Sequence, residues 1–180
     1  MDNQQALTDK EIGWLCGFFD GEGNVGMHVT TNSSFLKGMN TKRHTVMVPR
    51  LIVANTDFAT MMYFKELCDK IPVGVHLWTQ SRNNPKHRPC LKATINGFKR
   101  CSKIIPILMK DCITKKAQLK VLNRWLDHRQ ENYHYDLRDY EYLKEFAAIS
   151  NGNGPNDLTL RRLYESCTAD IYSSEIRGVR

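Results

Sequence analysis

Gly13, Gly17 and Gly21 recur every fourth residue inside a stretch that otherwise reads as an apolar helix. Thr8 with Glu11 three residues on forms a capping box, and the apolar run Ile12–Phe19 follows it. Glycine within a helix is disfavoured by ~1 kcal/mol relative to alanine, so three on one face need a reason. The spacing supplies one: all three fall on the same side, where a bare backbone lets a second helix approach closely. A chain built this way is expected to cross this helix with another. Asp20 and Glu22 then lie at the bottom of the crossing, and a two-fold axis there sets Glu22 beside its symmetry mate.

Gly21 and Gly23 end that helix. Asn24–Thr31 then alternates polar or small with Val25, Met27 and Val29, the period of a strand with one buried face. A polar loop, Asn32–Lys42, leads to a second β-rich run, His44–Asn55. Asp57 caps a helix through Lys70, and strands Val75–Thr79 and Cys90–Ile95 flank the basic loop SRNNPKHRP. Helices are expected over Phe98 to about Met109, Lys115–Arg129 and Leu137–Ile149, with Tyr133, Tyr135, Tyr140, Tyr142 and Phe146 packing the last of them on the core. Residues 1–150 therefore read as one α+β domain. Asn151–Pro155 is a linker, and residues 151–180 form a tail with a short helix from Leu158. The two hairpins make an antiparallel sheet that buries one face under helices and offers the other.

Charge gives that offered face a partner. The net charge is +7 from 26 Lys+Arg and 19 Asp+Glu, but Phe35–Gln130 alone holds 19 basic against 5 acidic residues while the flanks are acidic. A basic middle suits a polyanion. Mean hydropathy is −0.49. No apolar run approaches the ~20 residues of a membrane span, and the first residues show no basic-then-apolar leader. Membrane and secreted proteins are therefore not expected. The six cysteines are scattered without a CxxC pair, as free thiols of a reducing intracellular compartment would be, and the six histidines show no metal-ligand spacing.

Leu15–Gly23 reads LCGFFDGEG and resembles the LAGLIDADG motif of homing endonucleases. Leu15, Gly17, Asp20 and Gly23 match it directly; Phe18 and Phe19 substitute apolar for apolar, Cys16 and Gly21 small for small, and Glu22 keeps the second carboxylate. VPRLIVANTD (Val48–Asp57) is similar to the family's second strand and its exit, and ITKKAQL (Ile113–Leu119) to the segment bearing its active-site lysine. The likeness covers Glu11 to Arg129.

The resemblance implies an αββαββα fold with a curved antiparallel DNA-binding sheet and further C-terminal helices. It also implies site-specific cutting of double-stranded DNA in intron homing, staggered across the minor groove with 3′ overhangs, in a DNA-containing compartment. Glu22 and the backbone carbonyl of Gly23 are the implied metal ligands. Asn55 is the implied water-positioning side chain, and Lys115 the lysine that stabilises charge on the cleaved phosphate. Where some relatives carry an arginine just after the second strand, this chain has Phe58, Ala59 and Thr60. Either Arg50 or Lys92 stands in, or that contribution is absent.

Phosphodiester hydrolysis calls for a metal. Mg²⁺, with Mn²⁺ as a substitute, favours few carboxylates, phosphate oxygens and waters, which one carboxylate per subunit plus DNA phosphates meets. A second copy of the motif is not found, so a homodimer is implied, joined through Gly13, Gly17, Asp20 and Gly21 and reading a near-palindromic site. The expected DNA contacts are Asn24, His28, Thr30, Asn32, Arg50, Lys92 and Thr94 on the strands, with Arg82, Lys86, His87 and Arg88 in the loop. Two readings compete with the endonuclease. One is an RNA-binding intron maturase, since a basic sheet and loops suit either polymer. The other is a non-cleaving DNA-binding regulator, which the retained Glu22 and Lys115 disfavour.

Overall fold

A computed structural model describes residues 6–32, 44–80, 89–132, 135–150 and 155–177. Its elements run α1 (Asp9–Glu22), β1 (Gly23–Asn32), β2 (His44–Asn55), α2 (Phe58–Lys70), β3 (His76–Gln80), β4 (Cys90–Asn96), α3 (Phe98–Asp111), α4 (Lys116–Glu131), α5 (Leu137–Ile149) and α6 (Asp157–Arg177). The order αββαββα with three further helices is the one the alternation and capping signals imply. Among the described residues, no helix is long and apolar enough to cross a membrane.

Local chemistry sets the boundaries. The Thr8 hydroxyl accepts the Glu11 N–H at 3.3 Å while the Glu11 carboxylate accepts the Thr8 N–H at 2.8 Å, closing the capping box that starts α1. Asp57 caps α2 by accepting the Thr60 N–H at 3.0 Å, and Asp136 and Asp139 form a second capping box at α5. Gly97, the residue before α3, has φ +89°, a region that side chains rarely tolerate. α3 spans Phe98–Asp111, close to its expected bounds, with Pro106 exposed within the helix. One element runs well beyond expectation: α6 is 21 residues long rather than short. It carries no broad apolar stripe to signal its length, yet Leu163 and Cys167, four residues apart, are buried as it packs against α5 and β2.

The four strands form one antiparallel sheet in the order β1-β2-β4-β3. Period-2 alternation divides its faces. Val25, Met27, Met47, Leu51, Val53, Leu91, Ala93 and Ile95 are buried in the core with Leu15 and Phe19 of α1, Phe64 and Leu67 of α2, and Ile104, Ile105 and Leu108 of α3. On the other face the register aligns Asn24–Ile52–Thr94–His76, then Gly26–Arg50–Asn96, then Ala54–Lys92–Trp78 on three strands.

Tyr135 fastens the C-terminal helices to the sheet. Its oxygen accepts the Met47 N–H at 3.0 Å, and the Arg129 guanidinium lies 4.1 Å over its ring. Phe146 is fully buried, and Tyr140 and Tyr142 pack partly buried against the core. Tyr133 lies outside the described residues.

Candidate functional site

The four i, i+4 stripes of α1 go to four different surroundings, and this division builds the site. Leu15 and Phe19 enter the core. Trp14 and Phe18 stack at 5.0 Å and meet Tyr63 and Phe64 of α2. Cys16 and Asp20 face α3 and the segment that follows it: the Cys16 thiol lies 3.6 Å from the Ile107 and Leu108 carbonyls, and the Cys112 thiol 3.5 Å from the Cys16 carbonyl. Gly13, Gly17 and Gly21 are exposed, and beyond the helix's own adjoining backbone no described atom lies within 4 Å of where a Cβ would stand. Among the described residues, nothing packs on that bare face.

Glu22, the last residue of α1, is exposed and makes no hydrogen bond or ion pair with another described residue. No basic residue occupies the last turn. A carboxylate at the negative end of a helix is unfavourable by ~0.3–1 kcal/mol, and no described neighbour offsets it. Gly23 places it. Its N–H bonds to the Phe19 carbonyl, and an added Cβ would stand 2.3 Å from that oxygen and 2.7 Å from the Phe19 ring. Only glycine lets the strand leave the helix this tightly, holding Glu22 at the corner between α1 and β1.

Asp20 is the opposite case. Its carboxylate accepts the backbone N–H groups of Ile113, of Thr114 at 3.2 Å and of Lys115 at 3.1 Å, with the Thr114 hydroxyl 3.0 Å away. Lys115, the residue before α4, has no side-chain cap bond of its own, so Asp20 brings the anion that the start of α4 favours. Burial pulls the Asp20 carboxyl upward, but the N–H groups of Ile113 and Lys115 and the Thr114 contacts outweigh it and hold the group below the usual carboxylate range. From sequence Asp20 belonged with the subunit-interface residues. In the structure its carboxylate is saturated within its own chain.

Asn55 sits half-buried at the end of β2, two residues past Val53, the strand partner of Gly23. Its side-chain oxygen accepts the Asp57 N–H at 2.8 Å and shapes the turn into α2. Its amide nitrogen makes no hydrogen bond with a described residue. The fold thus brings the Glu22–Gly23 corner and Asn55 to one end of the sheet, and Asp20 brings the half-buried Lys115 to the same end of α1.

On the outer face of the sheet Asn24, His28 and Thr30 are exposed, and Arg50 and Lys92 half-buried. Arg50 is held by a residue the sequence reading missed: its Nε donates to Asn96 Oδ1 at 2.8 Å, while its Nη1 lies 3.5 Å from His28 Nε2. Burial and the nearby Arg50 charge together lower the His28 pKa, keeping the ring neutral at physiological pH. Lys92 lies 5.1 Å over the Trp78 ring, and Trp78 is 39% exposed on that face, also unanticipated. The pairing register joins these residues; sequence distance hides them. Thr94 shares the face but is only 7% exposed between Ile52 and His76, which leaves it little to offer a ligand. Arg82, Lys86, His87 and Arg88, and the side chain of Asn32, lie outside the described residues.

A second acidic cluster lies between α4 and α5. His128, Asp136 and Asp139 offer ligand atoms within 4.8 Å of one another. Yet each atom has a partner. His128 contacts Asp136 at 3.2 Å and the Asn132 amide at 3.1 Å, while Asp136 also accepts the Arg138 N–H at 2.8 Å. Asp139, fully buried, accepts the Trp125 indole N–H at 2.8 Å and the Asp136 N–H at 2.8 Å, with Arg129 3.6 Å away. Burial pushes its carboxyl upward, partly countered by those donors.

No protein-family model matches the chain, and no curated protein sequence matches it. Solved structures do. The archaeal intron-encoded homing endonuclease I-Vdi141I, complexed with DNA, superposes with a TM-score of 0.65 at 15% identity over 89% of this chain and 96% of that one. The homing endonuclease I-TnaI gives 0.59 at 18% identity over 91% and 99%. The I-LtrWI LAGLIDADG homing endonuclease, bound to target DNA, gives 0.61 at 19% identity over 88% of this chain but 50% of that one. At such identity the likeness is one of fold. The chain has the αββαββα fold of the LAGLIDADG homing endonucleases.

Proposed function

We propose that this protein is a site-specific double-strand DNA endonuclease of the homing type. The observation that carries the reading is Glu22: an exposed carboxylate, without a partner among the described residues, fixed by Gly23 at the end of a helix whose glycine face is exposed. Two copies crossing along Gly13, Gly17 and Gly21 bring their Glu22 side chains together, and a palindromic or nearly palindromic DNA then meets two related half-sites.

The donor chemistry fits a hard divalent cation. Glu22 and the Gly23 carbonyl are oxygen donors. Among the described residues the one clustered set of three metal-binding side chains is His128, Asp136 and Asp139, which excludes Glu22. Glu22 alone therefore suits Mg²⁺ or Mn²⁺, which take few carboxylates alongside phosphate oxygens and waters. Such an ion supplies charge neutralisation at phosphate and a more acidic water. The chain's own groups do the rest. Asn55 orients water through its amide nitrogen, and Lys115 supports negative charge building on the phosphate. Arg50 with His28, Asn24 and Thr30 meets base edges, and Lys92 beside Trp78 adds positive charge next to an apolar surface.

Incubation with a randomised DNA library tests the reading. Mg²⁺ is expected to give cut product with 3′ overhangs, and Ca²⁺ to permit binding without turnover. Brisk cutting in Ca²⁺, or none in Mg²⁺ and Mn²⁺, contradicts the proposed chemistry.

A further inference from the structure

Glu22 and Lys115 belong to distant parts of the sequence, and their cooperation requires a link between the end of α1 and the start of α4. Between Cys112 and Leu119, both buried, no side chain is buried: Ile113 is 82% exposed and Thr114 is exposed as well. Apolar packing does not fix this stretch. What fixes it is one carboxylate receiving three consecutive backbone N–H groups, from Ile113, Thr114 and Lys115, plus the Thr114 hydroxyl. Hydrogen bonds to an ionised acceptor are roughly twice as strong as neutral ones. One turn earlier on the same stripe, Cys16 contacts the carbonyls that end α3.

We propose that Asp20 is a positioning residue, whose carboxylate sets Lys115 in register with Glu22 at the end of α1. The inference rests on the endonuclease reading. Asp20→Asn keeps the shape but replaces one acceptor oxygen with an NH₂ group that repels the converging N–H donors. Because the clasp is local and its surroundings exposed, the variant is expected to fold and to bind DNA as the wild type does. Its single-turnover cleavage rate is expected to fall ~10–100-fold, the range for residues that orient a reacting group.

A double-mutant cycle with Lys115→Met separates positioning from general weakening. If Asp20 acts through Lys115, adding Asp20→Asn to Lys115→Met slows cleavage no further. Wild type that leaves DNA uncut overturns the endonuclease reading, and this inference with it. Wild type that cuts, beside an Asp20→Asn that cuts equally fast, overturns the positioning role alone. So does a Lys115→Met that cuts normally, or a loss that multiplies in full on that of Lys115→Met. Should Asp20→Asn fail to fold, Thr114→Val decides, since it removes only the hydroxyl contact. A rate loss that vanishes in the Lys115→Met background supports the assignment, and an unchanged rate overturns it.

Discussion

The end of α1 and the α4–α5 junction both gather acidic side chains, and they differ in what those side chains already hold. At the junction, His128, Asp136 and Asp139 have the better metal-site appearance by donor count, but indole, backbone, amide and guanidinium groups occupy the donors. At the end of α1, Glu22 makes no hydrogen bond or ion pair with another described residue. The mostly buried cluster ties α4 to the start of α5 through its hydrogen bonds, whereas Glu22 is an exposed carboxylate at the negative end of a helix dipole with no partner among the described residues.

The sharpest way to break that contrast is Glu22→Gln. It is expected to slow cutting ~100-fold or more while DNA affinity stays near wild type. Its melting temperature should hold or rise slightly, because an unfavourable anion leaves the helix end. A parallel loss of stability and activity erases the distinction drawn between the two regions. Asp139→Ala should do the reverse. It removes the buried acceptor of the Trp125 indole N–H and of the Asp136 N–H, a loss of about 3 kcal/mol, or ~6–12 °C in melting temperature for a chain of this size, and added Mg²⁺ should not restore it. Melting curves with and without the metal check this.

Arg50→Ala comes next. Removing a guanidinium braced by Asn96 is expected to weaken binding of the cognate site by ~1–3 kcal/mol and relax preference at one base pair, measured by competition binding across single-base variants of the site. Equal weakening on every sequence makes Arg50 a phosphate contact instead. The smallest effect is at Glu11. The Lys70 ammonium and the Thr8 groups hold its carboxyl down from 4.5 to about 2. Its folded pKa is depressed, so its contribution is present above pH 4.5 and fades as pH falls toward 2. The melting-temperature gap between wild type and Glu11→Gln should therefore close over that window.

Much of the fold was legible because the local signals agree. The Thr8–Glu11 box, the Asp57 cap and the strand alternation each sit where the structure begins or ends an element. α6 was underestimated because two buried residues, Leu163 and Cys167, give too faint a stripe to mark a helix of that length. The acids of the site were legible as residues but not as partners. Asp20 and Glu22 differ by two positions in one motif, and only the packing of the Ile113–Lys115 segment on α1 shows that Asp20 is engaged while Glu22 has no partner among the described residues. Asn96 and Trp78 went unseen for a similar reason. Their roles come from the register that seats Asn96 beside Arg50 and Trp78 beside Lys92, which no spacing within a single strand reveals.

A crystal structure of the protein with target DNA and Ca²⁺ bears on the account most directly. A cation is expected against Glu22 at ~2.3–2.6 Å, between two crossed copies of α1 and in contact with a scissile phosphate, while Asp20 still holds the Ile113–Lys115 segment. A cation seated instead on His128, Asp136 and Asp139, or a Glu22 remote from the DNA backbone, contradicts it.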